Sequence, residues 1–415
     1  MDGSPMPKDA VRSLGIPRWE FIALVAALMA LNALAIDIML PGLQQIGASL
    51  GVENENHRQY VITAYILGFG VPQLIYGPIS DRFGRRWPLI IGMVFYIAAA
   101  AAASFAPSFE MLLALRFLQG VGAAGTRVIA VSLVRDVFGG RAMAEVMSLV
   151  FMVFMIIPVI APLLGQGVML FSEWHMIFVL MAVIATVATL WTLLRLPETL
   201  APAQRRPFTV AAILGGFGIV LTNRVALCYT LASTLVFAGL FGFINSAQQI
   251  YVGIYGLGVW FPVLFAAVAG MMAVSSFANS RLVGRFGMRR LSHGALIGFL
   301  AVNVVTFSLA LAGPMPLWAF ATLFTLAMLQ FGWIGSNFNA IAMEPLGHVA
   351  GTASAIQGFI QTLGGGLIGA AIGQAFDGTV VPFTAAFCLL ALGGLVLVLI
   401  GEKGRLFGTY SPPMR

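Results

Sequence analysis

Apolar runs, many of about 20 residues, recur from residue 19 to residue 401, separated by short charged or Gly- and Pro-containing breaks. A helix of about 20 apolar residues crosses a roughly 30 Å hydrocarbon core, so the pattern predicts membrane-spanning helices. The breaks place twelve, at 19–42, 58–80, 87–106, 108–136, 141–170, 174–195, 224–248, 256–280, 291–312, 315–343, 350–376 and 380–401. The longest interruption, 196–223, contains the polar, proline-bearing stretch LPETLAPAQRRP and divides the spans into two sets of six. It reads as a cytoplasmic linker, partly an interfacial helix, between an amino-terminal bundle, 19–195, and a carboxy-terminal bundle, 224–401. Residues 1–18 and 402–415 are then cytoplasmic tails, and the fold class is an all-α integral membrane protein.

Composition agrees. Hydrophobic residues make up 60% of the chain and charged residues 9%, with a mean hydropathy of +0.96, which excludes a water-soluble domain. The net charge of +7 and pI near 9.8 would suggest nucleic acid in a soluble protein. Here the positions explain the charge. Of 22 Lys and Arg, Arg116 and Arg127 fall inside a span and Arg58 in the first outward loop; the rest share a side with the amino terminus. By the positive-inside rule both termini are cytoplasmic. The basic start and the A-L-A in the first span resemble a signal peptide. Cleavage would leave an odd number of spans and reverse every later loop, so the span reads as an anchor.

Several chemistries are excluded. Cys228 and Cys388 sit alone within spans, implying neither a disulfide nor a metal site. His57, His175, His293 and His348 fall at loops or helix ends and read as solvated. The only lysines are Lys8 and Lys403, and no G-x-x-x-x-G-K-[ST] exists, so no nucleotide partner is expected. No G-x-S-x-G, H-E-x-x-H or paired carboxylates mark an enzyme.

The loop after the second span, GPISDRFGRR, runs from Gly77 to Arg86. Gly77 and Gly84 permit tight turns, Asp81 can face a neighbouring helix amino terminus, and Arg82, Arg85 and Arg86 can pair with carboxylates such as Asp136. A related stretch, VGRFGMRR from Val283 to Arg290, follows the eighth span, with Gly284 in place of Asp81. The first loop resembles the signature loop of the major facilitator superfamily, G-x-L-x-D-R-x-G-R-[RK]. The second makes the chain look like a duplication, hence two pseudo-symmetric bundles, with one degenerate copy.

Further segments extend that resemblance. LLALRFLQGVGAAG, Leu112 to Gly125, is similar to the superfamily's membrane-embedded arginine motif, with Arg116, Gln119 and Gly120 in place. Arg127 lies eleven residues on and shares a helical face with Arg116. FMVFMIIPVIAPLLGQGV in the fifth span, with Pro158, Pro162 and Gly165, resembles a degenerate antiporter motif whose prolines and small residues suit a helix that bends or slides. SNFNAIAMEPLGHVAGTASAIQGFIQTLGGGLIGAAIG, Ser336 to Gly373, resembles the tenth and eleventh helices of Bcr/CflA-type drug exporters. With ALAIDIMLPGL near the start, the likeness covers essentially the whole chain. It implies a bacterial inner-membrane exporter, monomeric in the lipid bilayer, that moves small antibiotics and related compounds outward by alternating access in exchange for protons. No cofactor is implied beyond the coupling proton.

Among 15 acidic residues, Asp37 is the only one well inside a predicted span, and it matches the acidic position in the first helix of proton-coupled drug antiporters. At about 1.5 Å per residue, Asp37 lies roughly 6 Å and Arg116 roughly 10 Å from the outer edge of the hydrocarbon core, so they are expected as neighbours. Burial disfavours a charged carboxylate and a nearby arginine favours it, so a shifting balance between them makes a proton switch. Substrate contacts in the family lie near the bilayer midplane, and the polar candidates on plausible helices are Asn32, Tyr65, Gln119, Asn245, Gln248, Asn337, Gln357 and Gln361. An exporter of a sugar or other metabolite on the same fold is the alternative. A passive channel or non-transporting receptor would have no use for a duplicated gating loop.

Overall fold

The computed structural model describes residues 15–138, 140–205 and 210–408, and every regular element among them is helical. Most of the amino-terminal tail, the end of the carboxy-terminal tail and part of the linker lie outside the described residues. The chain divides into two compact units, Met1–Val210 and Ala211–Arg415. Eleven helical segments among the described residues are long and apolar enough to cross a membrane. A twelfth helix, α7 (Gly140–Phe171), runs 32 residues.

In the first unit, α1 (Arg18–Asp37) passes through a 3-10 turn at Leu40–Gly42 into α2 (Leu43–Ser49). The regular helix stops at Asp37 for a covalent reason. Its carbonyl would take the N–H four residues on, which belongs to Pro41, and proline has none. The second span breaks likewise, into α3 (Tyr60–Gly70) and α4 (Gln73–Phe83), around Pro72. There the Gln73 side-chain amide donates to the Phe69 carbonyl at 3.2 Å. Three more spans complete the unit, α5 (Arg86–Ala103), α6 (Phe109–Val137) and α8 (His175–Arg195). Pro158 and Pro162 lie within α7.

The second unit opens with α9 (Val210–Thr222), which lies in the stretch read as linker. Its spans are α10 (Arg224–Gln248), α11 (Phe261–Phe286), α12 (Met288–Ala312), α13 (Leu317–Met343), α14 (Ala350–Gln374) and α15 (Val381–Gly401). A π-helical turn, Gln249–Ile254, continues α10.

Each unit uses the same internal neighbours. In the first, α6 packs on α3 and α5, α1 on α7 and α6, and α8 on α5 and α1. In the second, α13 packs on α11 and α12, α10 on α14 and α13, and α15 on α12 and α10. One packing scheme is thus applied twice, as an internal repeat requires.

Lipid supplies no hydrophobic force between helices, so close backbone approach carries the packing. A Cβ on Gly120 of α6 would overlap the Tyr65 carbonyl oxygen and stand 2.7 Å from the Phe69 nitrogen of α3. Gly369 of α14 is held as closely by α10, where a Cβ would come within 2.8 Å of the Gly242 nitrogen. Aromatic rings fill much of the second unit, among them Phe243 stacked on Phe265 at 4.9 Å and Phe383 against Phe387 at 4.5 Å.

Candidate functional site

Asp37 is 2% exposed, and its Oδ1 has no hydrogen-bond partner. The break imposed by Pro41 follows immediately, so the acid stands where α1 gives up regular geometry. Gly165 of α7 sits against that break. A Cβ there would overlap the Ile38 carbonyl oxygen and lie 3.1 Å from the carbonyl carbon. The antiporter-motif helix therefore touches the backbone one residue beyond the acid.

Arg116 is fully buried on α6 but forms no ion pair with Asp37, contrary to the expectation from depth alone. Its Nη2 donates to the Ala35 carbonyl at 2.9 Å, its Nε to the Val61 carbonyl at 3.1 Å, and its Nη1 to Gln119 Oε1 at 2.6 Å. The guanidinium also lies 4.6 Å from the Tyr65 ring centre and 5.9 Å from that of Phe178. One side chain thereby ties α6 to α1, α3 and α8. Its link to Asp37 runs through two residues of α1 backbone.

Beside it, the Asn32 amide donates to Thr126 Oγ1 at 2.7 Å and its oxygen accepts from the Tyr65 hydroxyl at 3.2 Å. Asn32, Tyr65 and Gln119, three of the sequence candidates, thus form one buried cluster with Arg116 inside the first unit.

The candidates of the second unit form other groups. The Gln361 amide donates to Ser233 Oγ at 2.6 Å and to Asn339 Oδ1 at 2.5 Å, and Gln357 reaches the same Asn339 oxygen at 3.0 Å. Asn339 escaped sequence reasoning although the two glutamines share it. Asn337 donates to Asn279 Oδ1 at 2.7 Å and so stands apart from that trio. Asn245 returns its amide to the Phe241 carbonyl at 2.8 Å and leaves Oδ1 unpartnered; Gln248 is buried at the end of α10.

The loop motif needs two corrections. Gly77 is not in a turn but inside α4, and Gly84 alone makes the corner, at φ +96°. Asp81 does not face a helix amino terminus; it accepts from Arg85 Nη1 at 2.5 Å. Arg85 is 2% exposed and also donates from Nε to Asp136 Oδ2 at 2.8 Å and from Nη1 to Ser80 Oγ at 2.8 Å. Burial alone would lower its pKa, but Asp136 and then Asp81 outweigh that and raise it above the ordinary arginine value. Arg86 donates to the Leu193 carbonyl at 2.5 Å, whereas Arg82 is exposed over the Phe83 ring with no ion pair among the described residues.

The amino terminus of α5 is instead capped by Glu198, which sequence reasoning left in the linker. Its Oε1 accepts from the Arg85 backbone N–H at 2.8 Å and its Oε2 from that of Arg86 at 3.2 Å. A carboxylate at a helix amino terminus meets unpaired N–H groups and the positive end of the helix dipole. Glu198→Ala is expected to cost about 1–2 kcal/mol, a typical capping loss. Thermal unfolding of the purified protein measures it.

The second copy is less degenerate than its sequence suggests. Gly287, φ +83°, makes the corner that Gly84 makes in the first unit. Arg289 donates from Nε to Glu402 Oε1 at 2.7 Å and pairs through Nη2 with Glu344 Oε2 at 2.9 Å. Glu344 follows α13 as Asp136 ends α6, and Glu402 follows α15 as Glu198 follows α8. His293, expected as solvated, is fully buried beside this group. Its Nε2 lies 2.7 Å from the Tyr229 hydroxyl.

Comparison with known proteins matches this architecture. The model of the Major Facilitator Superfamily matches residues 22–370. The chain is 29% identical to the bicyclomycin resistance protein homolog of Haemophilus influenzae, over 89% of this chain and 93% of that one. It is 30% identical to the multidrug resistance protein MdtL of Salmonella typhi, over 84% and 86%. Its fold is similar to that of a D-xylose-proton symporter, with a TM-score of 0.73 at 14% identity over 93% and 98%. With its repeated six-helix units, buried span-four arginine and paired corner networks, the chain belongs to the Major Facilitator Superfamily.

Proposed function

We propose that this protein is a proton-coupled exporter of small drugs and antibiotics, working by alternating access, with Asp37 as the proton-carrying carboxylate. The observation that carries this reading is the buried, partly unpartnered acid at the Pro41 break. An ionisable group placed among apolar helices without a full set of partners is a functional feature by default. Similarity to proteins named for bicyclomycin and multidrug resistance supplies the substrate class. The likeness to the xylose symporter is one of fold, at 14% identity, and adds no sugar to this reading.

In this mechanism water reaches Asp37 in one conformation and a proton binds; in the other conformation the proton leaves as substrate engages. Arg116 sets the position of α1 around the acid through Ala35 rather than by pairing with it. Asn32, Tyr65 and Gln119 in the first unit, and Gln357, Gln361 and Asn337 in the second, are the polar anchors offered to a mostly apolar substrate. The Arg85 and Arg289 networks hold the corners between spans while the units move. We place the protein in the bacterial inner membrane as a multi-pass monomer with both termini cytoplasmic, using protons and no other cofactor or nucleotide.

The test is export from proteoliposomes under an imposed pH gradient, with compounds chosen by a susceptibility panel in an efflux-deficient host. Asp37→Asn is expected to lose gradient-driven export by at least about tenfold, some 1.4 kcal/mol of coupling, while its thermal unfolding stays near wild type. Undiminished gradient-driven export by this variant overturns the assignment.

A further inference from the structure

We propose that His293 is a second proton-binding site, separate from Asp37, where one proton releases the carboxy-terminal segment 403–408 from the second unit. The hydrogen bonds around the ring fix its protonation. The Phe407 backbone N–H donates to Nδ1 at 3.0 Å, and a backbone N–H can only donate, so Nδ1 carries no proton. On the other side, the Tyr229 hydroxyl lies 2.7 Å from Nε2 and 2.9 Å from Glu402 Oε1. Glu402 is paired with Arg289, so it is an ionised acceptor and takes the tyrosine proton. Nε2–H then donates to the tyrosine oxygen. The ring is neutral, and both of its nitrogens are in use.

An arriving proton has one place to go, Nδ1, where it meets the Phe407 N–H. Two donors then face each other and the bond that seats the segment is lost. That segment depends on the bond. Phe407 sits at φ +65° and Lys403 at φ +54°, left-handed conformations that non-glycine residues adopt only where contacts hold them. The Phe407 ring lies edge-on to the His293 ring at 5.8 Å, the other contact made at this point.

The surroundings accept the new charge. Tyr229 faces the ring from α10, Arg289 lies one turn before it on α12, Glu344 follows α13, and Glu402 begins the segment itself. Arg289 opposes an imidazolium, but two carboxylates already pair with that single guanidinium, so the group keeps a negative balance. Because Glu402 and Arg289 belong to the second corner network, the proton acts where that corner is held. This site stands whether or not Asp37 carries the coupling proton.

Amide hydrogen exchange of the full-length protein in nanodiscs tests the proposal, with labelling times corrected for the pH dependence of intrinsic exchange. Wild type is expected to protect the Phe407 amide near pH 7.5 and to lose protection at least about tenfold near pH 5. His293→Asn, whose oxygen accepts as Nδ1 does but takes no proton, is expected to protect it at both values. His293→Leu is expected to protect it at neither. Tyr229→Phe, which removes the acceptor for Nε2–H and its link to the carboxylates, is expected to move release to lower pH. Equal wild-type protection at the two pH values, or His293→Asn titrating like wild type, overturns the proposal.

Discussion

Arg116→Leu is expected to destabilise the first unit by at least about 3 kcal/mol, from roughly 1–3 kcal/mol for each buried acceptor left unmet. The acceptors are Ala35 O, Val61 O and Gln119 Oε1, on or beside three different helices. Leucine is also too short to cover the Tyr65 face that the guanidinium now covers. Arg116→Lys should fall between, because an ammonium keeps the charge but cannot hold three directions as a planar fork does. Asp37→Asn removes a charge whose Oδ1 has no partner to lose, so its unfolding temperature should stay near wild type. Thermal unfolding in detergent therefore separates the two residues: Arg116 by stability first, Asp37 by transport alone. A wild-type melting temperature for Arg116→Leu would mean that the carbonyl bonds do not hold these helices together.

The spans were legible because lipid accepts only continuous apolar helices, which leave long, uninterrupted runs in the sequence. Pro41 and Pro72 were equally plain as breaks, since each removes one identifiable N–H. Asp37 stood out as a lone acid in such a run. Arg116 was found but misread. Rise per residue gives depth, yet a long side chain chooses partners by rotation and reach, and here it turned to carbonyls. Gly77 was misplaced because a glycine looks alike in a turn and in a helix, whereas only Gly84 adopts positive φ. Glu198, Glu344, Glu402 and Arg289 were missed for another reason. They stand at span ends, where solvation is the ordinary reading, and their partners are distant in the chain. The signal was the repeat itself: a glutamate follows both the sixth and the twelfth span, in LPETL and in GEKGR. His293 was taken as solvated because the segment that covers it lies more than a hundred residues away; Phe407 is 114 residues distant.

Gly165→Val is expected to lower gradient-driven export at least about tenfold, some 1.4 kcal/mol, and to cost about 1–3 kcal/mol of stability by overpacking. The obstacle to its side chain is the Ile38 carbonyl, backbone that cannot rotate aside, with Ile38 Cγ1 also within 3.4 Å of a Cβ. Ile38 is fully buried, so α1 and α7 must move apart, and the separation falls next to Asp37 in the chain. Whatever excludes or admits water at the acid then changes with the spacing of those helices. Gly167→Val is the control. It lies two residues along the same helix with nothing within 4 Å of its Cβ, and it carries the same change in helix propensity. Loss of export in the Gly165 variant alone shows that closeness of α7 to the Asp37 break governs coupling. Equal loss in both would assign the effect to stiffness of α7, and the glycine would then matter for bending rather than for contact with the acid's helix.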